Sequence, residues 1–236
     1  MKKDRKLAVI TARGGSKRIP RKNIKDFCGK PIIAYSIEAA LGSGVFDTVM
    51  VSTDDEEIAG IAGQYGAEVP FFRDAKTSDD HSTTSDVLKE VLAAYEERGE
   101  SYDMVCCLYP TAPFVTAEKL GNAVECLADS DADVLIPVVA FSYPIQRSMV
   151  IEKGRLVFRH PEYLDSRSQD LETHYHDAGQ FYVFRTESFL RSGRVIAGDI
   201  LPLVVSELEV QDIDNMVDWE IAEMKYRLIA ERGGGI

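Results

Sequence analysis

"KLAVITARGGSKRIPRKN", residues 6–23, decides the fold. Its first part is a short, β-branched apolar run that stops at Gly14 and Gly15. An apolar run ending at a glycine-rich turn is the pattern of a parallel strand buried on both faces. The second part is basic, with Arg13, Lys17, Arg18, Arg21 and Lys22 crowded together. Like charges this close repel one another, so the loop suits either open solvent or a dense anion.

Working outward, hydrophobic runs and amphipathic stretches alternate. "PIIAYSIEAALGSG" predicts a helix opened by Pro31 and closed by Gly42 or Gly44. "DTVMVST" predicts a second strand, and "DDEEIAGIAGQYG" a helix with four carboxylates in its first turn and Gly66 as its stop. A short strand "EVPFF" is expected next, then a helix over 82–97, a strand "DMVCCLY", a helix over 116–128 and a strand "DVLIPVV". Repeated βα units imply an α/β fold of the Rossmann-like, doubly wound kind, with a mainly parallel sheet. The βα rhythm breaks between about Phe141 and Asp177, where "GRLVFR" and "DSRSQDLETHYHD" form no βα unit. Residues 141–177 are therefore expected to be a subdomain inserted into a single domain spanning 1–236, acting as a lid or a subunit contact. "GQFYVFR", a short helix over 187–191, "ILPLVVS" and a last helix over 215–230 complete the chain.

The totals narrow the function classes. With 236 residues, 45% hydrophobic and 28% charged, the chain is expected to be a soluble globular protein. No stretch resembles a signal peptide or a spanning helix, which makes the cytoplasm the expected compartment. Cys28, Cys106, Cys107 and Cys126 have no zinc-ribbon or CxxC spacing and are expected to be reduced; Cys106 and Cys107 should point to opposite faces of a strand. The formal charge is -12, yet residues 1–30 carry eleven Lys and Arg against Asp4 and Asp26. An acidic body with one basic mouth excludes general nucleic-acid binding and favours a compact phosphate ligand.

Four constellations carry chemistry. The basic loop lies after the first strand, where open α/β sheets bind ligands, and Gly14 and Gly15 let backbone N–H groups converge on an anion flanked by Arg13 and Lys17, with Lys22 and Asn23 ending the loop. It is neither a GxxxxGK[ST] loop nor a GxGxxG turn. In "QDIDNMVD", Asp212 and Asp214 are two apart, so in extended chain both carboxylates point the same way, as suits Mg²⁺ bridging protein and phosphate; Asp214 or Asn215 could equally cap the last helix. "LYPTAPF" sets a rigid turn at the same sheet edge and presents the Tyr109 hydroxyl. The polar run offers Arg167, Gln169, His174, His176, Asp177 and Gln180; the two histidines lack a third zinc ligand, and no nucleophile elbow supports a Ser-His-Asp set.

Together, "LAVITARGGSKRIPRKNIKDFCGKPIIAYSIEAA", "VMVSTDDEEIAGIAGQYGAEVPFFR", "LYPTAPF" and "DIDNMVDW" resemble the acylneuraminate cytidylyltransferases, which make CMP-activated nonulosonic acids, over essentially the whole chain. Sialic acid enzymes of that family usually carry a glutamine where this chain has Tyr109, and an "NGAIY"-like segment where it has "HDAGQFYVF". "LYPTAPF", "RSQDL" and "YHDAGQFY" are instead similar to the branch that activates pseudaminic acid for flagellin or surface polysaccharide, with sialic, legionaminic and Kdo enzymes as the alternatives within the family and a non-catalytic nucleotide-binding module as the alternative outside it. The resemblance implies that Arg13, Gly14, Gly15, Ser16, Lys17, Lys22 and Asn23 hold the CTP triphosphate while Arg73, Thr83 and Thr84 read the cytosine. It implies Mg²⁺ on Asp212 and Asp214, catalysis by Arg13 and Lys17 with those aspartates, and a sugar facing Tyr109, Arg167, Gln169, His176 and Gln180. It also implies a homodimer in which the insert reaches over the neighbouring subunit's site.

Overall fold

The computed structural model describes residues 4–78 and 82–233. Strand β1 (Lys6–Thr11) opens the chain, followed by two short strands, β2 (Asp26–Phe27) and β3 (Lys30–Pro31), and helix α1 (Ile32–Ser43). Next come β4 (Thr48–Ser52), α2 (Glu56–Gln64), α3 (Thr84–Glu97), β5 (Met104–Leu108), α4 (Ala117–Ala128) and β6 (Val134–Ala140). Strands β7 (Met149–Glu152), β8 (Arg155–Phe158), β9 (Tyr175–Asp177) and β10 (Phe181–Arg185) precede α5 (Thr186–Ser192), β11 (Ile200–Val204) and α6 (Met216–Glu231).

The main sheet has the order β11-β6-β10-β5-β1-β4, with β9 also paired to β6. Neighbours β1, β4 and β5 are parallel, as are β6 and β11, whereas β10 runs antiparallel between β5 and β6. The expected mainly parallel sheet is present, and the strand after the insert enters it against the grain. "EVPFF" forms no strand and contributes a single bridge, Met50 to Glu68. Pro70 removes a ladder donor from that short run, which explains the difference.

Helix boundaries follow local chemistry. Gly44 and Gly193 close α1 and α5 in the left-handed conformation. Asp55 caps α2 through the Ile58 N–H at 3.0 Å. Thr83 and Asp86 form a capping box on α3, and Asn215 and Asp218 another on α6, so Asn215 and not Asp214 is the cap.

Each sheet face carries its own core. Ala8, Ile10 and Cys106 pack beneath α1, α2 and α4, while Leu7, Val9 and Cys107 pack against α3 and α5. The adjacent cysteines thus face opposite ways, and burial raises both thiols, Cys107 to about 12. A third core joins distant segments: Ile19, Phe27, Ile32, Tyr35, Phe114, Ile213, Trp219 and Ala222. Phe27 stands edge-on to Tyr35, Trp219 and Tyr226 at 5.5–5.6 Å.

Within residues 141–177, β7 and β8 form a separate hairpin, whereas β9 belongs to the main sheet. The hairpin turns at Lys153 and Gly154, both at positive φ, as a two-residue primed turn requires. Pairing of Met149 with Phe158 and Ile151 with Leu156 puts four apolar side chains on one face, all of them exposed.

Candidate active site

The end of β1 and the start of α6 are about two hundred residues apart in sequence, and the third core brings them together. Ile19 of the basic loop and Ile213 of the aspartate segment are both about 1% exposed in that cluster. Burying these two isoleucines leaves their polar neighbours on the surface around one cleft. Lys22 Nζ donates to the Ile213 carbonyl at 2.6 Å, and Arg18 pairs with Asp214 at 2.8 Å.

The loop is shaped by a second anchor. Gly14 N–H donates to Asp54 Oδ1 at 2.9 Å, and a Cβ on Gly14 would lie 2.6 Å from Asp55 Oδ2. Only glycine permits that approach. Arg21, itself at φ 55°, grips Asp55 with both guanidinium nitrogens, at 2.5 and 3.0 Å, and also reaches Glu57. Hydrogen bonding from Arg21 holds the Asp55 carboxyl below its ordinary range. Buried Asn23 donates to the Arg13 carbonyl at 2.9 Å and closes the loop on itself.

Two cavities open here. The first, about 550 Å³, is lined by Arg13, Ser16, Lys17, Arg18, Lys22, Asn23, Arg73, Thr84, Tyr109 and Asp214, among others. The second, about 740 Å³, is lined by Lys22, Tyr109, Thr111, Ser142, His176, Asp177, Tyr182, Glu207, Asp212 and Lys225, with Val139, Ala140, Ala178 and Val210 as apolar wall. Lys22, Tyr109 and Thr111 line both, so the cavities meet at those three residues. Burial lowers the Lys22 ammonium from its ordinary value, against the opposing pull of Asp214 and Asp212.

Most residues singled out by sequence collect here, with definite exceptions. Arg13, Ser16, Lys17, Lys22, Asn23, Arg73 and Thr84 line the first cavity, but Gly14, Gly15 and Thr83 do not. Thr83 spends its hydroxyl capping α3. Arg73 is buried and ties down the end of β4, donating from Nε to Ser52 Oγ at 3.1 Å and from Nη2 to the Ser52 carbonyl at 2.6 Å. Burial lowers its pKa from the ordinary arginine value.

Tyr109 and His176 line the second cavity, whereas Arg167, Gln169 and Gln180 line neither. Gln180 is 4% exposed and lies behind the wall, where its Nε2 donates to the Glu209 carbonyl at 2.5 Å and its backbone carbonyl accepts from Tyr109. Arg167 and Gln169 are exposed on the insert. Asp212 and Asp214 both project away from buried Ile213, one into each cavity. Sequence reasoning missed Arg18, Thr111, Ser142, Tyr182, Glu207 and Lys225. Only Tyr182 had a readable signal, since it alternates with buried Phe181 and Val183 on a strand entering the site.

A sheet of this topology with a cationic loop at the strand ends and two joined cavities defines a nucleotidyltransferase-like α/β protein. The chain belongs to the cytidylyltransferase family, whose profile matches residues 7–215. It is similar to the pseudaminic acid cytidylyltransferase of Campylobacter jejuni subsp. jejuni, 43% identical over 94% of this chain and 96% of the relative. The CMP-N,N'-diacetyllegionaminic acid synthase of Legionella pneumophila is 33% identical over 95% of this chain and 97% of its own. A solved CMP:2-keto-3-deoxy-manno-octonic acid synthetase complexed with CTP shares the fold, with a TM-score of 0.68 and 19% identity over 97% of this chain and 99% of that one.

Proposed function

We propose that the chain joins CTP to pseudaminic acid, giving CMP-pseudaminic acid and pyrophosphate. The observation that carries this reading is the junction: a cationic cavity and a mixed polar and apolar cavity share Lys22, Tyr109 and Thr111. A two-substrate transfer needs such a meeting point, and the similarity to the Campylobacter enzyme supports the choice of sugar.

In the reaction, the sugar's anomeric hydroxyl loses its proton to water as its oxygen forms a bond to the α-phosphorus, the bond from that phosphorus to the bridging oxygen breaks, and pyrophosphate departs with the bridging oxygen's electron pair. Arg13 and Lys17 are assigned to the triphosphate, where fixed cations stabilise charge gathering on the leaving oxygens. Arg18 is held by Asp214, so a phosphate that recruits Arg18 frees that carboxylate in the same movement. Lys22, pinned to the Ile213 carbonyl, keeps a positive charge between the two substrates.

No set of three or more His, Cys, Asp or Glu side chains among the described residues forms a protein-only metal cage. Mg²⁺ needs none, because it takes one or two carboxylates with phosphates and waters, and Asp214 and Asp212 supply hard oxygens, one in each of the joined cavities. When bound, Mg²⁺ would neutralise phosphate charge there.

We assign the exposed hairpin to a homodimer contact, with Arg167 and Gln169 of the insert serving the neighbouring subunit's site. The exposed face of Met149, Ile151, Leu156 and Phe158 supports that assignment. Among the described residues no helix is long and apolar enough to cross a membrane. The cytoplasm, where CTP is available, is the compartment this reading assigns.

Pyrophosphate release from CTP and Mg²⁺ with a panel of pseudaminic, legionaminic, N-acetylneuraminic and Kdo acids tests the proposal. Preferential turnover of pseudaminic acid is expected. Preference for another acid reassigns the substrate, and CTP binding without turnover of any of them overturns catalysis.

A further inference from the structure

The second cavity carries charge of both signs: Lys22 at the junction with Asp212 near it, Lys225 and Glu207 along the wall, and the carboxylate of Asp177 on β9. Asp177 is held rigidly: its Oδ2 accepts from the Tyr182 hydroxyl at 2.6 Å and its Oδ1 from the Gly179 N–H at 2.7 Å. Tyr182 is itself 7% exposed and stands edge-on to Tyr109 at 5.8 Å. Burial, reinforced by the Asp177 bond, pushes the Tyr182 phenol far above its ordinary value, so it stays a donor to the carboxylate. Each carboxylate oxygen can accept a second bond, and both existing donors are neutral, so the site keeps its negative charge and spare acceptor capacity.

We infer that Asp177 determines which sugar acid is used, by accepting a hydrogen bond from an acylamido N–H while Tyr182 and Gly179 hold it in place. This rests on the transfer reaction proposed above. A keto sugar acid carries its own carboxylate beside the anomeric carbon. That carboxylate is repelled by Asp177, Asp212 and Glu207 and attracted by Lys22 and by Lys225, whose Nζ is already given to the Glu207 and Val210 carbonyls; held at Lys22, the acid turns its anomeric oxygen toward the nucleotide cavity and its far end toward β9.

The wall next to Asp177 selects among donors. Val139, Ala140, Ala178 and Val210 form an apolar patch in the same cavity. A hydroxyl would leave that patch against water. An acylamido group presents an N–H and an acyl methyl from one planar unit, so it fills both the acceptor and the patch. Asp177 is exposed and a hydroxyl can also donate to it, so the preference comes from doing both at once: only the acylamido unit bonds the carboxylate and covers the patch.

The test compares wild type, Asp177→Asn, Asp177→Ala and Tyr182→Phe by pyrophosphate release with pseudaminic acid, N-acetylneuraminic acid and Kdo, alongside calorimetric CTP binding. Asp177→Asn should lower kcat/KM for pseudaminic acid on the order of tenfold or more. It should shrink the preference over Kdo, which has no acylamido group, and leave CTP affinity unchanged. Tyr182→Phe should raise the KM for pseudaminic acid with less effect on kcat, and in the Asp177→Ala background it should add nothing, as a residue acting only through Asp177 requires. Unchanged selectivity in Asp177→Asn, with wild type active, overturns the inference alone. A wild type that turns over none of the acids overturns the proposed reaction and the inference with it. If Asp177→Asn fails to bind CTP, it is misfolded, and Tyr182→Phe decides: unaltered sugar KM in that variant overturns the inference.

Discussion

The basic loop and the β7–β8 hairpin are opposite solutions to the problem of an exposed segment. The loop crowds five cations into a short span, yet it is tied to Asp54, Asp55, Glu57, Asp214 and the Ile213 carbonyl and bolted down by Ile19. The hairpin carries Ile151 at 75% and Leu156 at 66% exposure, and its strands pair only with each other. A two-stranded ribbon is marginal in water by itself. The contrast separates a cationic segment tied down from several sides from an apolar face left open to solvent.

The comparison breaks most sharply at Lys17. Lys17→Ala should lower turnover on the order of 10²-fold or more, the scale of a lost transition-state donor, with an unchanged thermal midpoint because Lys17 is exposed. Pyrophosphate release and calorimetry check the two halves of that statement, and near-normal turnover removes Lys17 from the chemistry. Gly14→Ala probes the rigidity itself. The new Cβ meets an Asp55 side chain already locked by Arg21 and by the α2 cap, so the loop must shift to make room. Displacements of about 1 Å can cost up to 10²-fold, and a partial shift should raise the KM for CTP on the order of tenfold.

Those two regions also differ in how far they could be read from sequence. The loop was legible because its signals are local: an apolar strand, two glycines and clustered cations in an acidic chain. The fold was legible for the same reason, since βα alternation and caps such as Asn215 depend on near neighbours. The second cavity was legible only in part. His176 and Tyr109 line it, but Gln180, two residues before that cavity's Tyr182, turns inward to hold the Glu209 carbonyl. Nothing in the sequence shows that β10 runs antiparallel between β5 and β6, and that placement is what carries Tyr182 to Asp177. Arg167 and Gln169 are assigned by resemblance, and they line neither of the two joined cavities.

The hairpin side of the comparison sharpens with Ile151→Lys combined with Leu156→Lys. These residues sit opposite each other on one face, so two charges there oppose any apolar partner without disturbing the main sheet. Sedimentation should show a dimer in wild type and a monomer in the double variant, with CTP affinity preserved. A variant that stays dimeric places the contact elsewhere.

The smallest expected effect concerns the clamp on the loop. Arg21 holds the Asp55 carboxyl below its ordinary value, so the pair stabilises the folded chain at pH values above the unfolded carboxylate's pKa of about 4. That contribution fades as pH falls through the lower folded value, because the protonated acid no longer attracts Arg21. Asparagine caps a helix as well as aspartate does, so Asp55→Asn keeps the Ile58 bond while it removes the charge and the Oδ2 acceptor of Arg21 Nη1. Arg21 is 40% exposed, and solvent screening keeps such pairs at or below about 1 kcal/mol. In a chain of this size that is a midpoint shift of roughly 2–4 °C. Thermal melts should show Asp55→Asn less stable by up to that amount at pH 7, with the gap narrowing as pH falls below the unfolded carboxylate's value. A gap that stays undiminished down to the acid limit of folding would mean that Asp55 shapes the loop through packing and not through its charge.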